Sequence, residues 1–153
     1  MISRASRRLF LLYALRGFGA PVGDILAVFQ TYIRPLLEYA CPVWHSSITR
    51  EQSRHIEMVQ KRSCRLMFGS RYEHYDTALL ELGINKLSDR REQLALKYGQ
   101  KLLNSERHQH LLPAKSTSMY YLRNQKKYQE PKIRTVRYSN STIPYVIRLL
   151  NNF

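Results

Sequence analysis

Arg50, Arg54, Lys61 and Arg65 recur at intervals of four, seven and four residues. At about 100° per residue of α-helix they fall within about 40° of a single line. A row of guanidinium and ammonium groups on that spacing can lie along a run of phosphates, and Arg62 adds a further cation beside it. A second set stands toward the other end. Between Pro113 and Asn140, seven cations (Lys115, Arg123, Lys126, Lys127, Lys132, Arg134 and Arg137) face one acid, Glu130. Tyr120, Tyr121, Tyr128 and Tyr138 are interleaved with them. Basic groups track a backbone while flat rings stack unpaired bases, so the chemistry both patterns suit is the binding of a polyanion. Each also has an ordinary counterpart: the solvated face of an amphipathic helix, and a linker whose tyrosines pack on a bundle.

Bond-making chemistry finds less support. Two-metal nucleotidyl transfer needs carboxylates converging on ions roughly 4 Å apart, and no Asp-Asp pair occurs among the 11 acids. There is no GxxxxGKS/T loop, no HExxH and no GxSxG. Cys41 and Cys64 lie 23 residues apart outside any CxxC or CxxH, which favours buried free thiols over a disulfide or a zinc module. Cys41 and His45 could share a helix face, but Pro42 intervenes and further ligands are missing. The sequence therefore offers no catalytic residue, metal site or cofactor.

The charge balance sets the partner class. Lys and Arg number 25 against 11 acids in 153 residues, a formal charge of +14. Such an excess concentrates polyanions, so nucleic acid (RNA, DNA or an RNA–DNA hybrid) or an anionic membrane surface is the default partner class. The apolar run Leu9–Leu15 is seven residues long, short of the roughly 20 that span a bilayer, and Arg16 closes it too early for a secretory signal. The acid-free, arginine-bearing first 20 residues keep a mitochondrial presequence as a minor alternative to a nuclear or cytoplasmic location. Otherwise they form a first core helix, ended by Gly17 and Gly19.

The elements that must position these residues read as helices. Thr49 and Gln52 form a capping box, Ile56, Val59, Leu66 and Met67 share one face with Gln52 and Ser63, and Gly69 sits where a left-handed cap belongs. Upstream, Asp24 is a candidate cap and Pro35 must kink or break the helix that follows. Leu36, Leu37, Tyr39, Ala40, Val43 and Trp44 mark it as the inner helix. Downstream, YDTALLEL closes at Gly83, and Ser88 caps a helix that buries Leu94, Ala95, Tyr98 and Leu102. Arg90 and Arg91 fall in the first turn of that helix, where its dipole disfavours cations, so an anionic partner or a neighbouring acid must meet them. Ser141 or Thr142 opens a terminal helix docking through Ile143, Val146, Ile147 and Leu150. The predicted fold is all-α: an irregular helical bundle over 1–110, then a basic, poorly structured segment over 111–153 ending in a short helix.

The blocks TYIRPLLEYACPVWHSSIT, VQKR, ALLELGINKLSDRREQLALKYGQKLL and RTVRYSNSTIPYVIRLLN, in this order, resemble the C-terminal part of the reverse transcriptase polyprotein of LINE-type (non-LTR) retrotransposons. The resemblance runs from about residue 7 to the end. It implies a thumb and the segment behind it, which clasp the template–primer duplex and join the rest of a reverse transcriptase. Tyr32, Arg34, Pro35, Glu38, Tyr39 and Trp44 then fall on a bracing motif, and Gln60, Lys61 and Arg62 on a duplex-facing basic helix. The catalytic palm has no counterpart in the chain. Copies in this family are often truncated, so the resemblance also admits a remnant with no selected role. A helical scaffold whose basic face meets an acidic protein is the other alternative.

Overall fold

Thr49 begins the longest helix as its sequence requires. Its hydroxyl accepts from Gln52 N at 3.1 Å, and Gln52 Oε1 accepts from Thr49 N at 2.9 Å, completing the capping box. In the computed structural model this helix is α5, Arg50–Phe68, within an all-helical chain described over residues 1–113, 115 and 126–152. Besides short 3-10 turns at His45–Ser47, Gly69–Arg71 and Gln109–Leu111, the other elements described are α1 (Ile2–Gly17), α2 (Val22–Val28), a π turn (Phe29–Ile33), α3 (Arg34–Glu38), α4 (Cys41–Trp44), α6 (Tyr75–Leu82), α7 (Leu87–Leu103), α8 (Val136–Ser139) and α9 (Thr142–Asn152). Among the described residues the only extended pairing is an isolated bridge between Lys115 and Tyr128. None of the described helices is long and apolar enough to cross a membrane. Tyr120, Tyr121 and Arg123, singled out above, lie outside the described residues.

The chain divides into two compact units, Met1–Tyr39 with Thr49–Arg90, and Ala40–Ile48 with Arg91–Phe153. The boundary expected near residue 110 thus falls inside the second unit.

In the first unit α1 lies along α5 and also meets α2 and α3. Ala5, Leu9 and Leu12 of α1 are buried, as are Ile56, Val59 and Met67 of α5, so each helix spends one face on the core. Pro35 produces its break as predicted, through a π turn. Arg34 N–H reaches back five residues to Phe29 O, Phe29 and Ile33 stay fully buried, and Pro35 sits in the first turn of α3. The cap of α2 is Pro21 rather than Asp24, which lies in the first turn. α6 closes at Gly83, which adopts the left-handed conformation (φ 63°, ψ 33°). Gly69 also has positive φ, but its ψ of −119° lies outside the left-handed helical cap, and the Arg16 guanidinium occupies the space a Cβ would need.

Ser88 does not cap α7. The helix starts one residue earlier, and its first N–H groups are met by an acid from α5: Glu57 Oε1 accepts from Leu87 N at 3.1 Å and Oε2 from Ser88 N at 3.2 Å. Tyr75 Oη donates to the same Glu57 Oε1 at 2.5 Å. One carboxylate therefore ties α5, α6 and α7 together. Cys64 is buried under Phe68, Ala78 and Leu79, and burial pushes its thiol up to about 11.

Arg90, in the first turn of α7, is met by a neighbouring acid. Its Nε and Nη2 donate to the two oxygens of Glu38 at 2.6 and 3.1 Å, with Arg34 3.8 Å away on the same carboxylate. Arg34 is held below the usual guanidinium value by burial first and by Arg90 second. Tyr39 and Val43 depart from their expected burial, being 79% and 62% exposed. Ala40 takes φ 50°, a left-handed turn that resets the helical phase between α3 and α4. A periodicity read through it puts the wrong residues inside.

In the second unit α9 packs on α4 and the turn behind it. Thr142 Oγ1 donates to Val43 O at 3.0 Å and Ser47 Oγ to Asn140 O at 2.9 Å. Pro144, Val146, Ile147, Leu149 and Leu150 are buried, with Ile143 only partly so. Arg91 is fully buried; its guanidinium lies 6.0 Å from the Trp44 ring, and its Nε faces His45 Nδ1 at 3.4 Å. Trp44 is itself half-buried. His45 also meets the edge of Tyr145 at 5.6 Å.

Burial, and secondarily the Arg91 charge, lower the His45 pKa. A depressed histidine favours folding while it is neutral. That contribution is complete above the unfolded value of about 6.5 and is lost as pH falls toward the folded pKa, because the unfolded chain binds the proton more readily. Stability is therefore expected to drop as pH falls below about 6.5, and to drop less in a His45→Asn variant, whose amide oxygen can still face Arg91. Thermal melts of both proteins across that range check it.

Candidate nucleic-acid interface

The arc of α5 opposite its buried face carries the predicted cations. Arg50, Arg54, Lys61, Arg62 and Arg65 are all exposed. Four of them, Arg54, Lys61, Arg62 and Arg65, line a groove of about 470 Å³, together with Met58, Tyr75 and Glu57. Arg50, one turn nearer the helix start, is not among the lining residues. Gln60 belongs elsewhere. Read from the resemblance as duplex-facing, it is only 1% exposed, and its Nε2 donates to Asn85 O at 2.9 Å. At 100° per residue it lies on the side of Ile56, Ser63 and Met67, so the helical phase already separated it from Lys61.

The groove is cationic because four basic side chains line it against one acid. Glu57 turns its carboxylate to Tyr75 and to the first amides of α7, leaving four positive side chains facing solvent. Arg54 pairs with Glu51 at 2.7 Å on the open surface, which holds the Glu51 carboxyl below its ordinary range and raises Arg54 in turn. Exposed pairs three residues apart are weak and screened by salt, so a phosphate able to take a guanidinium fork can displace Glu51. Arg65 lies over the Tyr72 ring, its guanidinium 5.4 Å from the centroid. Lys61 adds to the field around Asp76, whose carboxyl is lowered mainly by Lys86 at 2.7 Å. Met58 and Tyr75 give the groove an apolar wall that the sequence reading did not anticipate; Met58 sits only about 40° from the cationic line, which was the available signal.

The tail residues belong to the second unit. Lys127, Arg134 and Arg137 are exposed, and Lys126 is exposed but ion-paired with Glu130 at 2.9 Å. Tyr128 is half-buried and tied to α9: its N–H donates to Asn151 Oδ1 at 2.9 Å, and Asn151 Nδ2 donates to its carbonyl at 3.1 Å. Those bonds clip an otherwise extended segment onto the last helix, a pairing without any local sequence signal.

No group of three or more His, Cys, Asp or Glu side chains among the described residues is arranged to hold a metal ion. Comparison of the chain with protein-family models, curated proteins and solved structures finds no match.

Proposed function

We propose that the chain is a non-catalytic nucleic-acid-binding module that clasps a phosphate backbone through α5. The observation that carries this is the groove in which Arg54, Lys61, Arg62 and Arg65 converge while its single carboxylate is turned to backbone amides. Convergent guanidinium and ammonium groups on a capped helix packed against α1 and α6 suit phosphates and carry no base readout. The +14 charge of the chain supplies long-range attraction. The sequence blocks that resemble the thumb of LINE-type reverse transcriptases suit a hybrid or RNA ligand, with the rest of a reverse transcriptase as a further partner.

Fluorescence anisotropy of a labelled RNA–DNA hybrid across a salt series tests this. Each phosphate contact adds about 0.7 to 0.9 to the slope of log affinity against log salt. The Arg54→Ala, Lys61→Ala, Arg65→Ala triple variant should flatten that slope by about two or more. An unchanged slope in the variant, or weak binding indifferent to salt, would assign the cationic face to solvent or to an acidic protein.

A further inference from the structure

A second exposed surface of the first unit has a different chemistry. Along α1, Arg4, Arg7, Phe10 and Tyr13 stand three residues apart, and all four are exposed. Three residues of helix advance about 4.5 Å and turn about 60° short of a full circle, so from Arg4 to Tyr13 these side chains wind about half a turn around the helix, two cations followed by two rings. Phe10 is 66% and Tyr13 69% exposed, while Phe18, just past the helix end, is 86% exposed. The apolar stripe that holds α1 in the fold, Ala5, Leu9 and Leu12, lies elsewhere on the helix and is buried. The rings are therefore not needed for packing. Neither has an aromatic or cationic partner among the described residues, whereas the nearby Tyr32 ring is already covered by Arg8, 3.9 Å from its centroid. Arg4 and Arg7 have no ion pair among the described residues, and no acid occurs before Asp24.

We infer that this stripe is a platform for unpaired nucleic acid, in which Phe10 and Tyr13 stack two bases and Arg4 and Arg7 hold the adjoining phosphates. Charge and shape select this occupant. An acid-free arginine pair attracts an anion, and exposed rings beside it suit a strand that brings phosphates and exposed π-faces together. A bilayer surface asks for a continuous apolar face, and the continuous apolar face of α1 is spent on the core. A duplex keeps its bases stacked on one another and offers the rings nothing. The inference rests on the reading of the chain as a nucleic-acid binder, but it assigns a different ligand form to a different helix.

The test uses the full chain with labelled 12-nucleotide probes: oligouridine, an abasic strand of equal length, and a blunt RNA–DNA hybrid. The Phe10→Ala, Tyr13→Ala variant should lose at least tenfold in affinity for oligouridine, with an unaltered salt slope, because rings release no counterions. It should bind the hybrid within twofold of the parent chain. The parent should bind the abasic strand no better than the variant does. Unchanged oligouridine affinity in the variant overturns the platform, and if the hybrid is still bound with a slope that the α5 triple variant flattens, the clasp reading stands alone. Loss of binding to phosphatidylserine vesicles in the ring variant, with oligouridine binding intact, overturns it in favour of a lipid surface. Failure of the parent chain to bind any of the three probes removes both readings. Both exposed rings can be truncated without touching the core, and a melting temperature equal to the parent's confirms that the variant is folded.

Discussion

Glu57→Ala is expected to destabilise the first unit by about 3 kcal/mol or more, since hydrogen bonds to a charged group contribute about 1.5 to 3 kcal/mol each and this carboxylate accepts three. Tyr75 Oη loses its acceptor in a half-buried setting, and the Leu87 and Ser88 amides are left without the group that stands in for an N-cap. Loss of a cap alone costs about 1 kcal/mol. Burial, then the Glu57 partner, holds the Tyr75 hydroxyl above its ordinary pKa. Glu57→Gln should fall between the two proteins: its one amide oxygen can serve the donors at one carboxylate position, while its NH2 opposes an amide donor at the other. Urea denaturation gives the energies, and amide exchange at Leu87 and Ser88 locates the loss. A cost below about 0.5 kcal/mol, the scatter of ordinary surface substitutions, would mean that water replaces the carboxylate. The same substitution removes the one negative charge from the groove. Under conditions where the variant remains folded, its affinity for a polyanion should rise, so stability and binding move in opposite directions.

Such a residue marks the limit of what one sequence displays. The ends of α5 are legible because each rests on neighbours: Thr49 and Gln52 are three residues apart and satisfy each other. The exposed cations are legible for the same reason, since phase along one helix decides them. Gln60 obeys that phase too, lying with the buried face and away from the side the family motif implies. The cap of α7 is different in kind. Ser88 is the residue a local rule selects, but a carboxylate 31 positions earlier reaches the amide first, and no window along the chain contains both. Glu38 and Arg90, 52 positions apart, form the same sort of pair. Sequence could say that Arg90 needed an anion, and the fold supplied which one. Ala40 shows a third limit. Nothing in an alanine announces φ 50°, so the burial of Tyr39 and Val43 could not be read through it. The groove inherits all of these: its cations come from one helix and are legible, while its hydrogen-bonded acid and its Tyr75 wall depend on how α6 and α7 return to α5.

Gly99→Ala is expected to destabilise the second unit by about 1 to 3 kcal/mol, the usual cost of overpacking a filled core. On helix propensity alone the change should help, since Ala exceeds Gly by about 1 kcal/mol within a helix. Packing decides the sign. A Cβ at Gly99 would stand 2.5 Å from Val146 Cγ1 and 3.4 Å from Leu150 Cδ1, and both side chains belong to the buried face of α9. Val146 is fully buried and β-branched, so it cannot swing to another χ1 without a new clash. Either α9 moves outward, exposing Ile147 and Leu150, or α7 bends. Gly17→Ala is the matched control, because a Cβ there meets nothing within 4 Å, and it should leave stability unchanged or slightly higher. Removing the obstacle should reverse the penalty: in a Gly99→Ala background, Val146→Ala should cost less than it does alone, a coupling that a double-mutant cycle reads directly. Additive effects in that cycle would show that α7 and α9 do not meet at Gly99, and the packing of the second unit would have to be redrawn around a different contact.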